Sequence, residues 1–204
     1  MERYDSLMFT QRVKALQEAQ GTAERFEKAY GPRTHVLNQD EQAFIASRTS
    51  FYMATVSETG WPYIQHRGGP VGFVKVLDDH TIGFADYRGN QQHISEGNLQ
   101  GDRRVSLFFM DYPRKGRLKM QGNAKMRSAL ERPDLVEQFA TTGEGRVERV
   151  VTIEIVAFDW NCPQFITPRF DSTEIAQLVG PELDKLTARI AELEAENAAL
   201  RNAN

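Results

Sequence analysis

The fold is decided by the stretch from Pro62 to Ser95, which reads PYIQHRGGPVGFVKVLDDHTIGFADYRGNQQHIS. It contains two apolar runs rich in β-branched residues, Gly72 to Leu77 and Thr81 to Ala85, and the polar residues 78–80 separate them. This pattern is typical of two strands joined by a tight turn. We therefore predict a β-hairpin at the centre of the chain.

Each predicted strand is flanked by a segment that carries glycine and arginine. Arg67 precedes the first strand and Arg88 follows the second. The two outer ends of an antiparallel hairpin lie side by side, so we expect the two guanidinium groups to converge. Two guanidiniums beside glycine backbone, with a helix predicted to begin near Asn90, suit a dianionic phosphate. The alternative is that both arginines are exposed charges on the rim of the sheet.

The composition excludes several classes of protein. A net charge of −3 argues against a nucleic-acid-binding surface. The single cysteine, Cys162, excludes an intrachain disulfide, and four scattered histidines do not suggest a metal site. No apolar run approaches the roughly 20 residues of a membrane span, and the N-terminus lacks the apolar core of a secretory signal. We expect a soluble cytoplasmic protein without nucleic-acid or membrane partners.

The spacing of apolar residues changes along the chain. Spacings of three and four predict helices over residues 9–30 and 39–48, and from Ser50 a period of two predicts strands. Besides the hairpin, we predict strands at 51–56, 61–65, 104–110, 117–126 and 147–160, and short helices at 90–99 and 133–141. The fold class is therefore mainly β with flanking helices, and a small closed or split barrel fits best.

The C-terminal segment, residues 171–204, has a different pattern. From Leu183 to Leu200 apolar residues alternate at spacings of three and four, which is a heptad repeat. Ile190 and Asn197 share one core position, an arrangement that favours a two-stranded coil whose buried asparagine sets the register. We predict a coiled-coil-like helix from about Pro181 to Asn202 that acts as an oligomerisation segment. The alternative is a helix that packs this face on its own barrel.

Four runs of sequence together resemble a known family. They are FYMATVSETGWPYIQHRGGPVGFVKV, FADYRGNQQHIS, RVSLFFMDYPRKGRLKMQGNAKM and FDWNCPQFITPRF. In this order they are similar to the pyridoxamine 5′-phosphate oxidase-related family of FMN-binding split barrels, and to its uncharacterised branch rather than to the oxidase itself. The resemblance implies a barrel over residues 38–170, after an N-terminal helical segment at 1–37.

The resemblance also implies a cofactor and its binding residues. It implies a homodimer with two FMN molecules at the subunit interface, each in contact with both chains. The positions that it assigns to the cofactor are His66, Arg67, Gly68, Val74, Lys75, Asp86, Arg88, Asn90, Gln91, Gln92, Arg117, Trp160 and Gln164. The oxidase has an Arg-Lys pair where this chain has Gln91 and Gln92, so Arg67 and Arg88 would have to supply more of the charge that holds the phosphate.

Two of these positions have a second interpretation. Lys75 either approaches the flavin phosphate or the N1–O2 edge of the ring, or it extends to solvent. His66 is either a proton donor near the flavin N5 or an ordinary turn histidine.

No catalytic residue is assigned, because the sequence has no Ser-His-Asp order, Walker loop or dinucleotide-binding glycine motif. The resemblance implies an FMN-dependent oxidoreductase that acts on an unknown small molecule, with NAD(P)H as a candidate electron donor. One alternative is a non-catalytic flavin- or haem-binding protein on the same barrel. The other is an interaction scaffold that acts through the C-terminal coil.

Overall fold

The computed structural model describes residues 1–30, 36–142 and 145–202. The chain divides into two compact units, which are described separately. The first unit comprises Met1–Asp111 and Gly116–Gln164, and the second comprises Tyr112–Lys115 and Phe165–Asn204. The sheet belongs to the first unit and the long C-terminal helix to the second.

The described residues form seven strands and seven helices. The strands are β1 (Ser50–Val56), β2 (Pro62–Gly68), β3 (Lys75–Val76), β4 (Thr81–Tyr87), β5 (Arg104–Asp111), β6 (Gly116–Ser128) and β7 (Val147–Trp160). The helices are α1 (Tyr4–Met8), α2 (Gln11–Ala19), α3 (Ala23–Ala29), α4 (Gln39–Ala46), α5 (Ile94–Gly101), α6 (Pro133–Phe139) and α7 (Ser172–Asn202). None of these helices combines the length and the apolar character that a membrane crossing requires.

The strands form one antiparallel sheet in the order β2-β1-β5-β6-β7-β4-β3. The sheet curls on itself. Three strands separate β1 from β4 in the sheet, yet Phe51 of β1 packs against Phe84 of β4 with ring centroids 5.4 Å apart. On β5 and β7, the side chains of Val105, Leu107, Phe109, Ile153 and Ile155 are buried in the core. The predicted mainly β fold is confirmed.

The predicted hairpin is also confirmed, with a shorter first strand. Lys75 pairs with Gly83 and Val76 with Ile82 in antiparallel register. Gly72 has a φ of +82°, so the backbone before Lys75 turns and does not extend the strand.

Helix α4 begins at Gln39, as predicted, directly after its cap residue Asn38. The Asn38 side chain accepts a hydrogen bond from the backbone N–H of Asp40 at 2.8 Å, and Glu41 accepts one from the N–H of Asn38 at 3.1 Å. This capping box satisfies donors that the first turn would leave open. It fixes the start of α4, which buries Ile45 in the core.

Two helices begin at other residues than we predict. Helix α5 begins at Ile94 and not near Asn90, because Gln91 and His93 have φ values of 59° and 55°, which a right-handed helix does not contain. Helix α7 begins at Ser172, well before Pro181. Asp171 and Glu174 form a capping box there, with hydrogen bonds of 2.8 and 2.9 Å.

Gly122 lies at the β-bulge where β6 pairs with β7. A Cβ at this position would lie 2.7 Å from the backbone oxygen of Glu154 and 2.8 Å from Cγ2 of Ile153. We expect Gly122→Ala to lower the free energy of unfolding by about 2 kcal/mol, because the ladder must shift to make room. Urea denaturation measures this change.

The matched control is Gly97→Ala on α5, where a Cβ has nothing within 4 Å. Alanine has a higher helix propensity than glycine, so this variant should keep or slightly raise the free energy of unfolding. An equal loss in both variants would contradict a steric cause at Gly122.

Candidate functional site

The carboxylate of Asp86, at the end of β4, lies between two guanidinium groups. Arg67 of β2 donates a hydrogen bond from Nη1 to Oδ1, and Arg149 of β7 donates one from Nε to Oδ2 at 2.8 Å. The exposed fractions of these side chains are 14% for Arg67, 8% for Asp86 and 17% for Arg149. Buried charges persist in proteins where they are paired in this way. We call these three residues the Asp86 triad.

Arg149 has further acidic neighbours. Its Nη1 lies 3.3 Å from Oε2 of Glu96 on α5, and its Nη2 lies 3.6 Å from Oε2 of Glu148. Burial alone would lower the pKa of Arg149, but the hydrogen bond to Asp86 and the charges of the three carboxylates outweigh burial and raise that pKa. Arg149 is therefore a permanent cation that joins β7 to β4 and α5.

A cavity of about 230 Å³ opens beside the Asp86 triad. The ends of β2, β4 and β7, the loop 89–93 and the start of α5 line it. The wall is ordered by local hydrogen bonds, since Ser95 Oγ donates to Oε1 of Gln65 at 2.8 Å and the Gln92 N–H donates to Oδ1 of Asn90 at 3.2 Å. A second cavity of about 440 Å³ shares Glu96 and Arg149 with the first.

The cavity offers hydrogen-bond donors to an anion. Nε of Arg67 is buried and has no hydrogen-bond partner among the described residues. An unsatisfied buried donor costs about 1–3 kcal/mol, which an acceptor on a ligand would recover. Around the cavity the charges of Arg67 and Arg149 are balanced by those of Asp86 and Glu96. Arg67 and the loop residues could therefore donate hydrogen bonds to an anion, with little excess positive charge around it.

The segments on either side of the hairpin lie side by side as predicted, but Arg67 and Arg88 do not converge. Arg67 contacts Asp86, whereas the side chain of Arg88 is 68% exposed and its Nε lies 3.8 Å from Glu148. The loop residues Asn90, Gln91 and Gln92 line the cavity together with Arg67 and Asp86.

Four other predicted residues have different surroundings. The side chain of Val74 is in the core, and Lys75 lines a separate cavity with residues of α4. The ring of His66 packs edge-on against Tyr52 with centroids 5.6 Å apart. Gly68 ends β2, where a Cβ would lie 2.9 Å from the His66 ring. Their assignment to a cofactor stays a prediction.

The remaining predicted residues lie far from the Asp86 triad. They are at or just beyond the other ends of β6 and β7. Arg117 donates from Nη2 to the carbonyl oxygen of Cys162 at 2.8 Å, and its Nε is buried without a partner among the described residues. Trp160 donates from Nε1 to Oε1 of Glu41 at 2.7 Å, and Gln164 is exposed. At about 3.3 Å per residue, Arg149 and Trp160 are roughly 35 Å apart along β7. The structure thus separates Arg117, Trp160 and Gln164 from the predicted residues that line the cavity.

Sequence reasoning missed Arg149, Glu96, Gln65 and Ser95. A signal existed for Arg149, because the period of two along β7 places it on the same face as Val151 and Ile153, which are fully buried. A charged residue on the inner face of a strand needs a buried partner. The partner itself could not be identified without the fold.

Removing the charge of Asp86 should be costly. We expect Asp86→Asn to lower the free energy of unfolding by about 3 kcal/mol, because two buried guanidiniums lose their counter-charge. The control is Asp134→Asn, since Asp134 makes an exposed ion pair with Arg132 at 2.6 Å. Exposed pairs contribute about 0–1 kcal/mol. Chemical denaturation of both variants measures the difference, and equal small losses would show that the triad adds little stability.

Comparisons with known proteins agree with the fold. Residues 37–156 match the sequence profile of the pyridoxamine 5′-phosphate oxidase family. No curated protein sequence matches the chain. Among solved structures, HupZ of Group A Streptococcus and a variant of it are each 17% identical. They match 65% and 61% of this chain and 99% of their own, with TM-scores of 0.50 and 0.51.

A third structure, an FMN-binding protein from Syntrophomonas wolfei, is 13% identical over 74% of this chain and 97% of its own, with a TM-score of 0.42. At these identities the HupZ likeness shows the fold alone. The sequence profile covers more than half of the chain and includes the strands that surround the cavity. The chain therefore belongs to the pyridoxamine 5′-phosphate oxidase family.

Proposed function

We propose that this protein binds FMN in the cavity beside the Asp86 triad and acts as an oxidoreductase of the pyridoxamine 5′-phosphate oxidase-like class on a small-molecule substrate. The observation that carries the proposal is Arg67, which lines that cavity and whose buried Nε has no hydrogen-bond partner among the described residues. Membership of the family supports flavin as the ligand.

Five residues that line the cavity have a definite role in this proposal. Arg67 donates to the phosphate from the edge that Asp86 does not use, and Arg149 keeps Asp86 in position. The side-chain amides of Gln91 and Gln92 replace the Arg-Lys pair of the oxidase, so hydrogen bonds substitute for charge. When bound, the flavin supplies hydride and electron exchange, and the protein binds it and shapes its surroundings.

We propose further that two chains share each flavin. The predicted cofactor residues of one chain lie in separate places, because the cavity that Arg67 lines does not include Arg117, Trp160 or Gln164. Another group lies far from Arg149, at the other ends of β6 and β7, and consists of Arg117, Trp160 and Gln164. We propose that this group contacts a flavin that Arg67 of another chain binds. The site is therefore a homodimer site, with Arg67 from one chain and Arg117 from its partner.

A binding titration with two flavins tests the ligand. FMN and riboflavin differ by the phosphate, so Arg67→Met should weaken FMN binding by about 100-fold, the loss of one charge-assisted hydrogen bond. Riboflavin affinity should stay nearly constant, which also reports that the variant is folded. Flavin fluorescence measures both affinities.

The control for this titration is Arg132→Met, which removes an exposed arginine paired with Asp134 and should leave both affinities unchanged. A wild-type protein that retains no FMN, or retains haem in its place, would contradict the proposal. So would equal losses of FMN and riboflavin affinity in Arg67→Met.

Subunit mixing tests the shared site. Arg67→Met and Arg117→Met each remove one half of every site, so each homodimer should bind FMN poorly. When the two variants are co-expressed, half of the dimers are mixed and each mixed dimer has one intact site. About a quarter of all sites should then regain wild-type affinity, as two-fold symmetry requires. Recovery of no tight site would place the two arginines outside a common site.

A further inference from the structure

Helix α7 carries an apolar stripe that has no counterpart in the family match, which ends at residue 156. The stripe consists of core positions at alternating spacings of three and four, and we call it the heptad stripe. Its members are Leu183, Leu186, Ile190, Leu193, Asn197 and Leu200. The apolar members are 40–67% exposed, and Asn197 is exposed as well. Six large side chains in this pattern are typical of a coiled-coil interface.

We propose that α7 pairs with α7 of a second copy of this chain as a parallel, in-register, two-stranded coiled coil. Leu183, Ile190 and Asn197 occupy one core position of the heptad, and Leu186, Leu193 and Leu200 occupy the other. The helix contains 31 residues, and the stripe covers its C-terminal three heptads. The proposal does not depend on flavin binding.

The charges beside the stripe match a parallel pair. In such a pair, the residue just before the core position of Leu183, Ile190 and Asn197 faces a residue of the other helix whose number is five higher. Arg189 then faces Glu194 of the second copy, and Glu196 faces Arg201 of the second copy. Each pair occurs twice by symmetry, and Glu182 faces the uncharged Thr187. All charged contacts across this interface are therefore attractive.

Asn197 selects the parallel arrangement. In a parallel, in-register pair, its amide faces the amide of its own copy, and the two can hydrogen-bond to each other. In an antiparallel pair with full overlap, Asn197 packs against Leu186 and its amide is buried without a side-chain partner. Antiparallel pairs shifted by one heptad bring Arg189 opposite Arg189, or Glu194 opposite Glu194. The sequence of α7 thus disfavours each antiparallel register.

The contacts that these residues make within one chain are weak enough to exchange. Arg189 lies 2.9 Å from Glu192, with exposed fractions of 59% and 63%. Asn197 donates to the backbone oxygen of Leu193 at 2.9 Å. Exposed pairs of this kind contribute little to stability, so contacts with a second helix can replace them.

Disulfide cross-linking in the full chain tests the orientation. In a Cys162→Ser background, Leu200→Cys places one thiol in the core position near the end of α7. A parallel pair brings it to the same residue of the second copy, within the Cα separation of about 4.4–6.8 Å that a disulfide requires. Ala199→Cys is the control, because residue 199 lies on the outer face. In a glutathione buffer we expect efficient linkage at residue 200 and at least about tenfold less at residue 199.

Charge exchange tests the pairing. Arg189→Glu with Arg201→Glu makes every charged pair acidic, and Glu194→Arg with Glu196→Arg makes every pair basic. Each double variant alone should show at least about tenfold less linkage at residue 200. A mixture of the two should restore linkage as the mixed disulfide, because all pairs are then attractive. Asp184→Arg with Glu192→Arg, on the outer face, adds the same charge as the basic variant and should change nothing.

Three results would overturn the proposal. Equal linkage at residues 199 and 200 would show collisions without a defined interface. No linkage at residue 200 would show that this face does not meet its copy in parallel. An extent of linkage at residue 200 that is the same in all charge variants would show that these four residues do not face one another: Arg189, Glu194, Glu196 and Arg201.

Discussion

The carboxylate of Asp86 is the constraint on which the barrel depends. It binds guanidinium groups from β2 and β7, and three strands separate β2 from β7 in the sheet. A buried carboxylate between two buried cations can be separated only at a large cost in free energy. The Asp86 triad therefore fixes how far the sheet curls, together with the packing of Phe51 on Phe84.

The same triad shapes the candidate site. Asp86 orients Arg67 by accepting a hydrogen bond from its Nη1, and the buried Nε of Arg67 has no hydrogen-bond partner among the described residues. Asp86 and Glu96 also cancel the positive charge of the two arginines. A phosphate would therefore be recognised by the geometry of N–H donors more than by net charge. One carboxylate thus contributes to both the stability and the binding properties of the barrel, and the two cannot be varied independently.

The polar residues of the candidate site lie at two separate places in the first unit. One group surrounds Arg67 and Arg149, and the other includes Arg117 and Trp160, at the far ends of β6 and β7. Long antiparallel strands keep these groups apart, since a strand of this length is extended and is held on both sides by hydrogen bonds. Among the described residues, Arg48, Arg67 and Arg117 each have a buried Nε without a hydrogen-bond partner.

By itself, the sequence determined the elements whose signals are local. The period of two predicts β7 over its full length, the spacing of three and four predicts the start of α4 at residue 39, and the heptad spacing predicts the stripe of α7. The capping box of Asp171 and Glu174 was also local, and it could have corrected the predicted start of α7. The tertiary structure alone decided that Arg67 meets Asp86 and Arg149, and that Arg88 is exposed. The physical reason is that pairing of distant charges depends on how far the sheet curls, which is a property of the whole barrel and not of any one segment.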